Sequence, residues 1–262
     1  MLPFSHLIHF QCDEDGKCFF ADLGDNANGP PPLGTTLDAY PSMDQLISNA
    51  GKKTVTIRRL LAPLPQSAAP IYCVCLNYRS HAKEAGLDIP SYPPVWTKPA
   101  AILAHPDEDI PVNDFCAKSL LDHEGELVFV TSKECKTLSP QEAKDYILGY
   151  TVGLDLSCRM FQLPKNRGPE IFANGASFTV VTKVNGQVRQ EAEFQRDMIF
   201  SLEQILSHMS QGITIPASTA VMTGTPAGVG VFMKPKTFLQ NGDVVEIEMA
   251  KVGVLRIKMK FE

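Results

Sequence analysis

The sequence predicts a mixed, β-rich α+β protein. Short β-prone runs are separated by turns, as in residues 182–190, where an Asn-Gly pair joins two alternating arms and indicates a hairpin. The helices that the sequence supports are short and carry capping residues, as in residues 201–212. The run over residues 127–130 is apolar on both faces, which is typical of a strand covered on both sides.

The first part of the chain has the pattern of a small β-rich domain over residues 1–65, followed by a larger domain over residues 66–262. A Pro-Leu-Pro segment at residues 63–65 is the predicted linker between them. The predicted elements of the small domain are a hairpin of runs 7–12 and 17–22, a helix capped by Ser42 that ends at Gly51, and a strand over 54–61.

Composition and charge exclude several classes of partner. With 262 residues, a net charge of −5 and scattered Lys and Arg, the chain offers no basic stripe for nucleic acid. No apolar run approaches the roughly 18 residues of a membrane span, and the N-terminus resembles neither a signal nor a transit peptide. Seven cysteines without a CxxC pair indicate reduced thiols. We therefore expect a soluble, cytoplasmic protein.

Three acids precede the apolar run on one face of the predicted strand. Asp122, Glu124 and Glu126 alternate with other residues, so their side chains project together. Close carboxylates repel, and a hard divalent cation with oxygen ligands would relieve that repulsion. The alternative is a solvated acidic strand end, which is common for charged residues.

A pair of ionisable residues follows the strand predicted over residues 71–76. His81 and Glu84 lie three residues apart on a short helix over residues 77–86, for which Asn77 is the predicted N-cap. A carboxylate beside an imidazole orients the ring, which is one way to build a general base. A surface ion pair is the alternative.

The remaining elements follow in order along the chain. A capping box at residues 139–142 predicts a helix that ends at Gly149. The strand over residues 150–156 carries Asp155 near its end, and this acid could be a third metal ligand, a cap or the partner of an Arg. Residues 221–230 read as a strand entering a glycine-rich loop that could face backbone N–H groups toward an anion, or form an ordinary turn.

Six motifs stand out together, at residues 76–81, 122–127, 149–155, 184–186, 197–201 and 223–230. As a set they resemble the fumarylacetoacetate hydrolase superfamily, and the resemblance runs from about Ile71 to the C-terminus. The resemblance implies a mixed β-roll catalytic domain behind a small N-terminal domain, assembled as a homodimer.

The resemblance also implies roles for individual residues. It implies that Glu124, Glu126 and Asp155 bind Mg²⁺ or Mn²⁺, with Ca²⁺ also possible, and that His81 with Glu84 activates water. The positions implied to contact substrate are Arg159 and Gln162, and Thr225 in the glycine-rich loop is the further candidate.

Two departures from the family pattern concern the same segment. Relatives carry a lysine that helps to hold an oxyanion, and the best match here places Ala176 in that position. The chain also reaches the 184–186 turn about twenty residues earlier than relatives do. Losing one oxyanion donor can lower a rate about 10²–10³-fold, so the reaction could be weakened or redirected.

These features predict a divalent-metal-dependent enzyme acting on a small-molecule β-dicarbonyl or 2-oxo acid, with C–C bond hydrolysis favoured. Decarboxylation, or tautomerisation and isomerisation of the same substrates, is the alternative, because one metal site supports all of these reactions. A non-catalytic metal-binding relative is the rival from another class.

Overall fold

A computed structural model of the protein describes residues 4–25, 27, 29–63, 69–162, 179–250 and 252–262. In this part of the chain the strands form three sheets, and the helices between them are short. The predicted mixed, β-rich α+β class is confirmed. None of the described helices is long and apolar enough to cross a membrane.

The first sheet is antiparallel and contains β1 (Leu7–Cys12), β2 (Cys18–Asp22), β3 (Thr36–Ala39) and β4 (Lys53–Leu60). Its strand order is β2-β1-β4-β3. Phe10, Ile57 and Ala39 lie in a hydrophobic cluster that belongs to this sheet alone. The cluster is what a separate N-terminal domain would need, although the predicted boundary at residue 65 lies outside the described residues, so the division into two domains stays a prediction.

The second sheet carries the predicted acids. Its strands are β5 (Ile71–Val74), β6 (Val95–Lys98), β8 (Leu121–Thr131), β9 (Ile147–Cys158) and β12 (Ala220–Met222), in the order β6-β5-β12-β8-β9. All eleven residues of β8 are buried. The strand therefore packs on both faces, as its apolar second half predicts.

The third sheet contains β7 (Asp109–Val112), β10 (Thr179–Val184), β11 (Gln187–Glu193), β13 (Val244–Met249) and β14 (Gly253–Phe261). Its order is β11-β10-β13-β14-β7. Leu127 and Phe129 of β8 share one hydrophobic core with Val180 and Ile247 of this sheet. The odd-numbered side chains of β8 thus face the third sheet, which leaves the even-numbered acids on the opposite face.

The described helices are α1 (Met43–Ile47), α2 (Arg79–Ala85), α3 (Asp114–Ala117), α4 (Pro140–Ala143), α5 (Phe194–Asp197) and α6 (Leu202–Ser210). Capping boxes at Ser139 and Ser201 are present as predicted. The helix after Ser139 is shorter than predicted, because a 3₁₀ turn follows α4 and β9 already begins at Ile147.

The predicted N-cap at Asn77 is wrong. Tyr78 occupies the cap position of α2, without a side-chain hydrogen bond. Asn77 is fully buried, where its amide accepts from the backbone N–H of Phe200 at 2.7 Å and donates to the carbonyl of Thr223 at 2.8 Å. The side chain therefore joins the start of α2 to two distant parts of the chain, because a buried amide needs partners more than an exposed helix end does.

Candidate active site

Glu124, Glu126 and Asp155 meet on one face of the second sheet. Strands β8 and β9 pair in an antiparallel register that places Glu124 directly opposite Asp155. One carboxylate oxygen from each residue lies within 4.8 Å of the other two, and all three side chains are buried. The structure thus brings together the three acids that the sequence predicts as a group.

The buried charges around these acids do not balance. Asp122 lies on the same face, so four carboxylates share this region, and the cations that pair with them are Lys98 on Asp155 and Arg159 on Asp122 and Glu124. If every group is ionised, two negative charges remain uncompensated by these two cations. That excess equals the charge of one divalent cation.

Burial and the neighbouring negative charges raise the pKa values of two of the acids. Burial, followed by the negative charge of Glu124, raises the pKa of Asp155 to about 6, against the opposing effect of Lys98. Burial also raises the pKa of Glu126 well above its ordinary value, and the charges of Asp155 and Glu124 add to that rise. A cation placed among them would stabilise the ionised form of both carboxylates.

The donor set fits a hard divalent ion. Carboxylate oxygens are the ligands that Mg²⁺, Mn²⁺ and Ca²⁺ prefer, and a buried cluster of three offers them without competing nitrogen or sulfur donors from those residues. The residues that would hold such an ion are Glu124, Glu126 and Asp155.

The glycine-rich loop at residues 224–231 directs its backbone N–H groups at the protein's own carboxylates. Gly224 donates to Glu126 at 2.7 Å, and Gly228 donates to Glu84 at 2.9 Å. Gly230 and Val231 donate to Asp122 at 2.8 and 3.0 Å. The predicted anion-facing loop is therefore present, and the anions it holds are the side chains of the site.

Two glycines let this loop come close enough to make those bonds. Gly228 has φ +108°, and a Cβ there would lie 1.9 Å from the carbonyl oxygen of Arg189. A Cβ on Gly230 would lie 1.9 Å from the carbonyl oxygen of Thr237 and 2.6 Å from Oδ1 of Asp122. Any side chain at either position would push the loop away from its neighbours.

His81 and Glu84 form the predicted pair on α2. The His81 Nδ1 lies 2.7 Å from Glu84 Oε1, while Glu84 Oε2 accepts the N–H of Gly228. Among the described residues, Nε2 of His81 has no hydrogen-bond partner, so this nitrogen is the one available to a substrate or a water. The ring also packs edge-on against Phe232, with 5.9 Å between the ring centroids.

The loop connects this pair to the acidic cluster. Gly224 at one end bonds Glu126, and Gly228 bonds Glu84, so one short segment fixes a carboxylate from each group. Ser80, next to His81, accepts the N–H of Ala227 at 3.0 Å. The same backbone segment thereby positions the His81–Glu84 pair and the acidic cluster.

Arg159, which the family resemblance implies as a substrate contact, lies beside two of the acids. Its Nε donates to Asp122 Oδ2 at 2.8 Å, and its Nη1 donates to Glu124 and, at 2.8 Å, to the side-chain oxygen of Gln162. Arg159 is 5 % exposed, whereas Gln162 is exposed. The Nη2 of Arg159 is buried without a hydrogen-bond partner among the described residues, which leaves a cationic donor unused.

Thr225 is held differently from the other predicted substrate contacts. Its hydroxyl donates to the carbonyl of Gly125 at 3.0 Å and accepts from Nε2 of Gln190 at 2.7 Å. Since a hydroxyl has a single proton, the side chain could only accept a further hydrogen bond. The predicted role of Thr225 in substrate binding stays a prediction. The Ala176 position lies outside the described residues.

Two residues of the site carry weak or no signal in the sequence. Lys98 ends β6 after a proline-rich stretch, and nothing in its spacing connects it to Asp155, which is 57 residues away. Asp122 does share the alternation of Glu124 and Glu126, but its role as the acceptor for Arg159 and two loop N–H groups depends on contacts between distant segments.

Comparison with known proteins decides the family. The family model described as fumarylacetoacetate (FAA) hydrolase C-terminal matches residues 70–260. The chain belongs to the fumarylacetoacetate hydrolase family. Enzymes of this family generally use divalent metals, and they include hydrolases, tautomerases and isomerases.

Two similar curated members of the family act on different substrates, according to their names. Caffeoylpyruvate hydrolase of Neonothopanus nambi is 34% identical over 221 residues, which cover 81% of this chain and 76% of that protein. Oxaloacetate tautomerase YisK of Bacillus subtilis is 34% identical over 218 residues, which cover 75% and 71%.

Solved structures of family members agree in fold over nearly the whole chain. Fumarylacetoacetate hydrolase from Exiguobacterium antarcticum has a TM-score of 0.73 at 25% identity and covers 98% of this chain and 100% of its own. The 5-carboxymethyl-2-hydroxymuconate delta-isomerase of Mycobacterium smegmatis has a TM-score of 0.74 at 24% identity and covers 98% and 99%. The predicted fumarylacetoacetate hydrolase-like β-roll fold is confirmed.

Proposed function

We propose that this protein is a divalent-metal-dependent enzyme that hydrolyses a C–C bond in a small β-dicarbonyl or 2-oxo acid. The observation that carries the proposal is the loop that joins two groups of side chains. One group is a buried three-carboxylate cluster, and the other is a histidine oriented by a carboxylate. A divalent ion held by the cluster would supply positive charge to the substrate's carbonyl oxygens. Mg²⁺ and Mn²⁺ are the proposed ions.

In this proposal His81 moves the protons. With Nδ1 held by Glu84, Nε2 takes a proton from water as the water oxygen bonds to the acyl carbon. The bond between that carbon and the neighbouring methylene carbon breaks, and the proton ends on the methylene carbon. For an acylpyruvate the products are a carboxylic acid and pyruvate, so one water is consumed.

Arg159 and Gln162 are the proposed substrate contacts. The unused Nη2 of Arg159 can donate to a substrate carboxylate or to an oxygen that gains negative charge, and the bonds to Asp122 and Glu124 fix the guanidinium before substrate arrives. The side-chain oxygen of the exposed Gln162 accepts a hydrogen bond from the same guanidinium. Thr225 is the third proposed contact.

Tautomerisation of a 2-oxo acid is the second candidate. It needs His81 to remove and return one carbon-bound proton, and it needs no water. Two observations favour it: relatives at 34% and 29% identity are named oxaloacetate tautomerases, and Ala176 replaces the lysine implied by the family pattern. We also propose that the enzyme is a cytoplasmic homodimer, as the family resemblance implies.

The decisive experiment assays purified protein with Mn²⁺ and a panel of acylpyruvates and oxaloacetate. Pyruvate release with a stoichiometric carboxylic acid supports hydrolysis, CO₂ release supports decarboxylation, and interconversion of enol and keto forms without either product supports tautomerisation. A protein that binds Mn²⁺ but gives none of the three would be a non-catalytic relative, and the proposal would fail.

Replacing His81 with Ala should lower kcat about 10²–10⁴-fold, because the general base is removed. The affinity for Mn²⁺, measured by calorimetry, should be nearly unchanged because His81 is not one of the three acids. The matched control is His208→Ala, which removes an exposed histidine of α6 and should leave kcat as it is. A His81→Ala enzyme with unchanged kcat would exclude this residue as the base.

A further inference from the structure

A second concave site lies beside the acidic cluster, around the edge strand β9 of the second sheet, and residues from both faces of that strand line it. It is a cavity of about 650 Å³ between that sheet, the ends of β1 and β4, and strands β7 and β14. Its floor is formed by Val128, Val130, Ala220 and Met222. This volume is within the range of about 300–1,000 Å³ that is typical of small-molecule sites, which often lie between packed units of a fold.

The cavity begins where the row of acids ends. Even-numbered residues of β8 share one face, so Glu124 and Glu126 are followed directly by Val128 and Val130. On β9, Gly153 pairs with Glu126 and lines the cavity. The predicted metal ligands and the apolar floor are therefore consecutive positions on the same strands.

Lys98 stands at the boundary between the two sites. It is the one Lys or Arg among the described residues that line the cavity, and its ammonium pairs with Asp155. Its side chain is 15% exposed, and Nζ lies 5.5 Å from the centre of the Trp96 ring. The two acids that also line the cavity, Glu108 and Asp109, have partners in Arg59 and Lys260.

A ligand that matches these walls has an apolar body and one negative group. The apolar floor excludes a highly charged molecule, since burying a charge without a partner is costly. One cation at one end favours a carboxylate there, because a charge-assisted hydrogen bond to Lys98 would offset the desolvation of both groups. The walls on several sides give the site the shape of a pocket for a small molecule.

We propose that this cavity binds an amphipathic monocarboxylate, with its apolar body on Val128, Val130 and Met222 and its carboxylate on Lys98. Because the same ammonium pairs with Asp155, a carboxylate that draws Lys98 away leaves Asp155 free to hold a cation. Binding in the cavity therefore tightens binding at the acidic cluster, and by linkage the cation tightens the carboxylate by the same factor. This second effect rests on the proposed metal site, whereas binding in the cavity does not.

Trp96 provides a direct readout because it is the only tryptophan in the chain. The test titrates the full-length protein with decanoate and follows Trp96 fluorescence, with 1-decanol as the neutral probe of equal length. We expect a saturable change with decanoate, confirmed by calorimetry. Absence of saturable binding in both measurements overturns the proposal.

Two variants locate the ligand. Ala220→Phe fills the cavity from the floor and should weaken decanoate at least tenfold, while Lys98→Met should weaken decanoate by a similar factor and leave decanol unchanged. Lys118→Met is the matched control, because Lys118 is an exposed lysine that pairs with Asp114 and is not among the lining residues, and this variant should bind decanoate normally. Circular dichroism melting verifies that each variant is folded. Decanoate binding that Ala220→Phe leaves intact would place the ligand elsewhere and overturn the proposal.

Further measurements separate the parts of the proposal. Saturating decanoate should raise the calorimetric affinity for Mn²⁺ by about fivefold or more, and no change would overturn the coupling. A change of mass in light scattering with Ala220→Phe would show an interface between copies of the chain, which overturns a small-molecule site. Decanoate that binds to a protein inactive on every keto acid would support this inference while the proposed function fails.

Inhibition kinetics then distinguish two sources of the same ligand chemistry. Competition between decanoate and an acylpyruvate would show that the cavity holds the apolar end of a substrate. A change in kcat without competition would show a separate effector. Both patterns require the carboxylate to occupy the cavity, and both should disappear in Ala220→Phe.

Discussion

Asp122 shows how one buried residue organises several others. Its carboxylate accepts from the backbone of His123, from two N–H groups of the glycine-rich loop and from the guanidinium of Arg159, and it is 0 % exposed. Each acceptor lone pair of an ionised carboxylate can be used in this way. The position of Arg159 in the candidate site therefore depends on a residue that itself has no surface for substrate.

Replacing Asp122 with Asn should destabilise the protein by about 3 kcal/mol, because it leaves the buried charge of Arg159 without one of its partners. Urea unfolding measures the change. The control is Asp114→Asn, which alters an exposed ion pair with Lys118 and should leave the free energy of unfolding unchanged. Equal effects of the two substitutions would contradict the role assigned to Asp122.

The raised pKa values of Asp155 and Glu126 predict an unusual pH dependence for the metal-free protein. Between the ordinary pKa of an Asp, 3.8, and about 6, folded Asp155 holds more protons than the unfolded chain does. The unfolding free energy therefore decreases as the pH rises through that window, and the loss is complete above it. Glu126 acts in the same direction.

This dependence can be isolated with one variant. In the presence of a chelator, the unfolding free energy of the wild type minus that of Asp155→Asn should become smaller as the pH rises from 4 to 7. Saturating Mn²⁺ should remove the trend, because a bound cation favours the ionised carboxylates. A difference that grows with pH would show that Lys98 outweighs burial at Asp155.

At the scale of elements, the glycine-rich loop connects α2 to the acidic strand. Gly228→Ala should therefore lower the unfolding free energy by about 2 kcal/mol or more, since the residue has φ +108° and its Cβ would meet the carbonyl of Arg189. It should also reduce activity at least tenfold, because the N–H of Gly228 holds Glu84, which orients His81.

The control for that substitution is Gly149→Ala on β9. A Cβ there meets nothing within 4 Å, and the residue has no positive φ. Its unfolding free energy should change by no more than about 0.5 kcal/mol. If Gly228→Ala were as harmless as this control in urea unfolding and in turnover, the loop would be far more adaptable than its contacts indicate.

Local sequence signals predicted those elements that local interactions determine. The capping boxes at Ser139 and Ser201 and the Asn185-Gly186 turn use neighbouring residues, and all three are present. The Asn77 cap failed because a buried contact with Phe200 and Thr223, more than 100 residues away, uses its amide. No local pattern carries that information.

For the site, alternation along one strand was enough to group Glu124 with Glu126, because side chains of a strand repeat every two residues. Asp155 could not be assigned from its own surroundings, since its place depends on how β8 pairs with β9. Lys98 could not be found at all, because only the assembled sheet brings β6 close to Asp155.

At the scale of the whole molecule, cation binding should stabilise the fold. A ligand at 100 times its Kd adds about 2.7 kcal/mol, which corresponds to a rise in Tm of about 5–10 °C for a chain of this size. Thermal melts with Mn²⁺ and with chelator measure the shift. Glu126→Gln should melt at the same temperature under both conditions, and a full Mn²⁺ shift in that variant would exclude Glu126 as a ligand.

Because Glu124 pairs with Asp155, cation binding also depends on how β8 and β9 are aligned. A slip of one residue between β8 and β9 would turn Asp155 to the other face, although the backbone ladder could still form. Only the observed register of β8 and β9 therefore keeps Asp155 on the face where the other two acids could share an ion with it. Misaligned molecules would lack that extra stabilisation, so metal supply during folding would favour the correctly paired chains over the others.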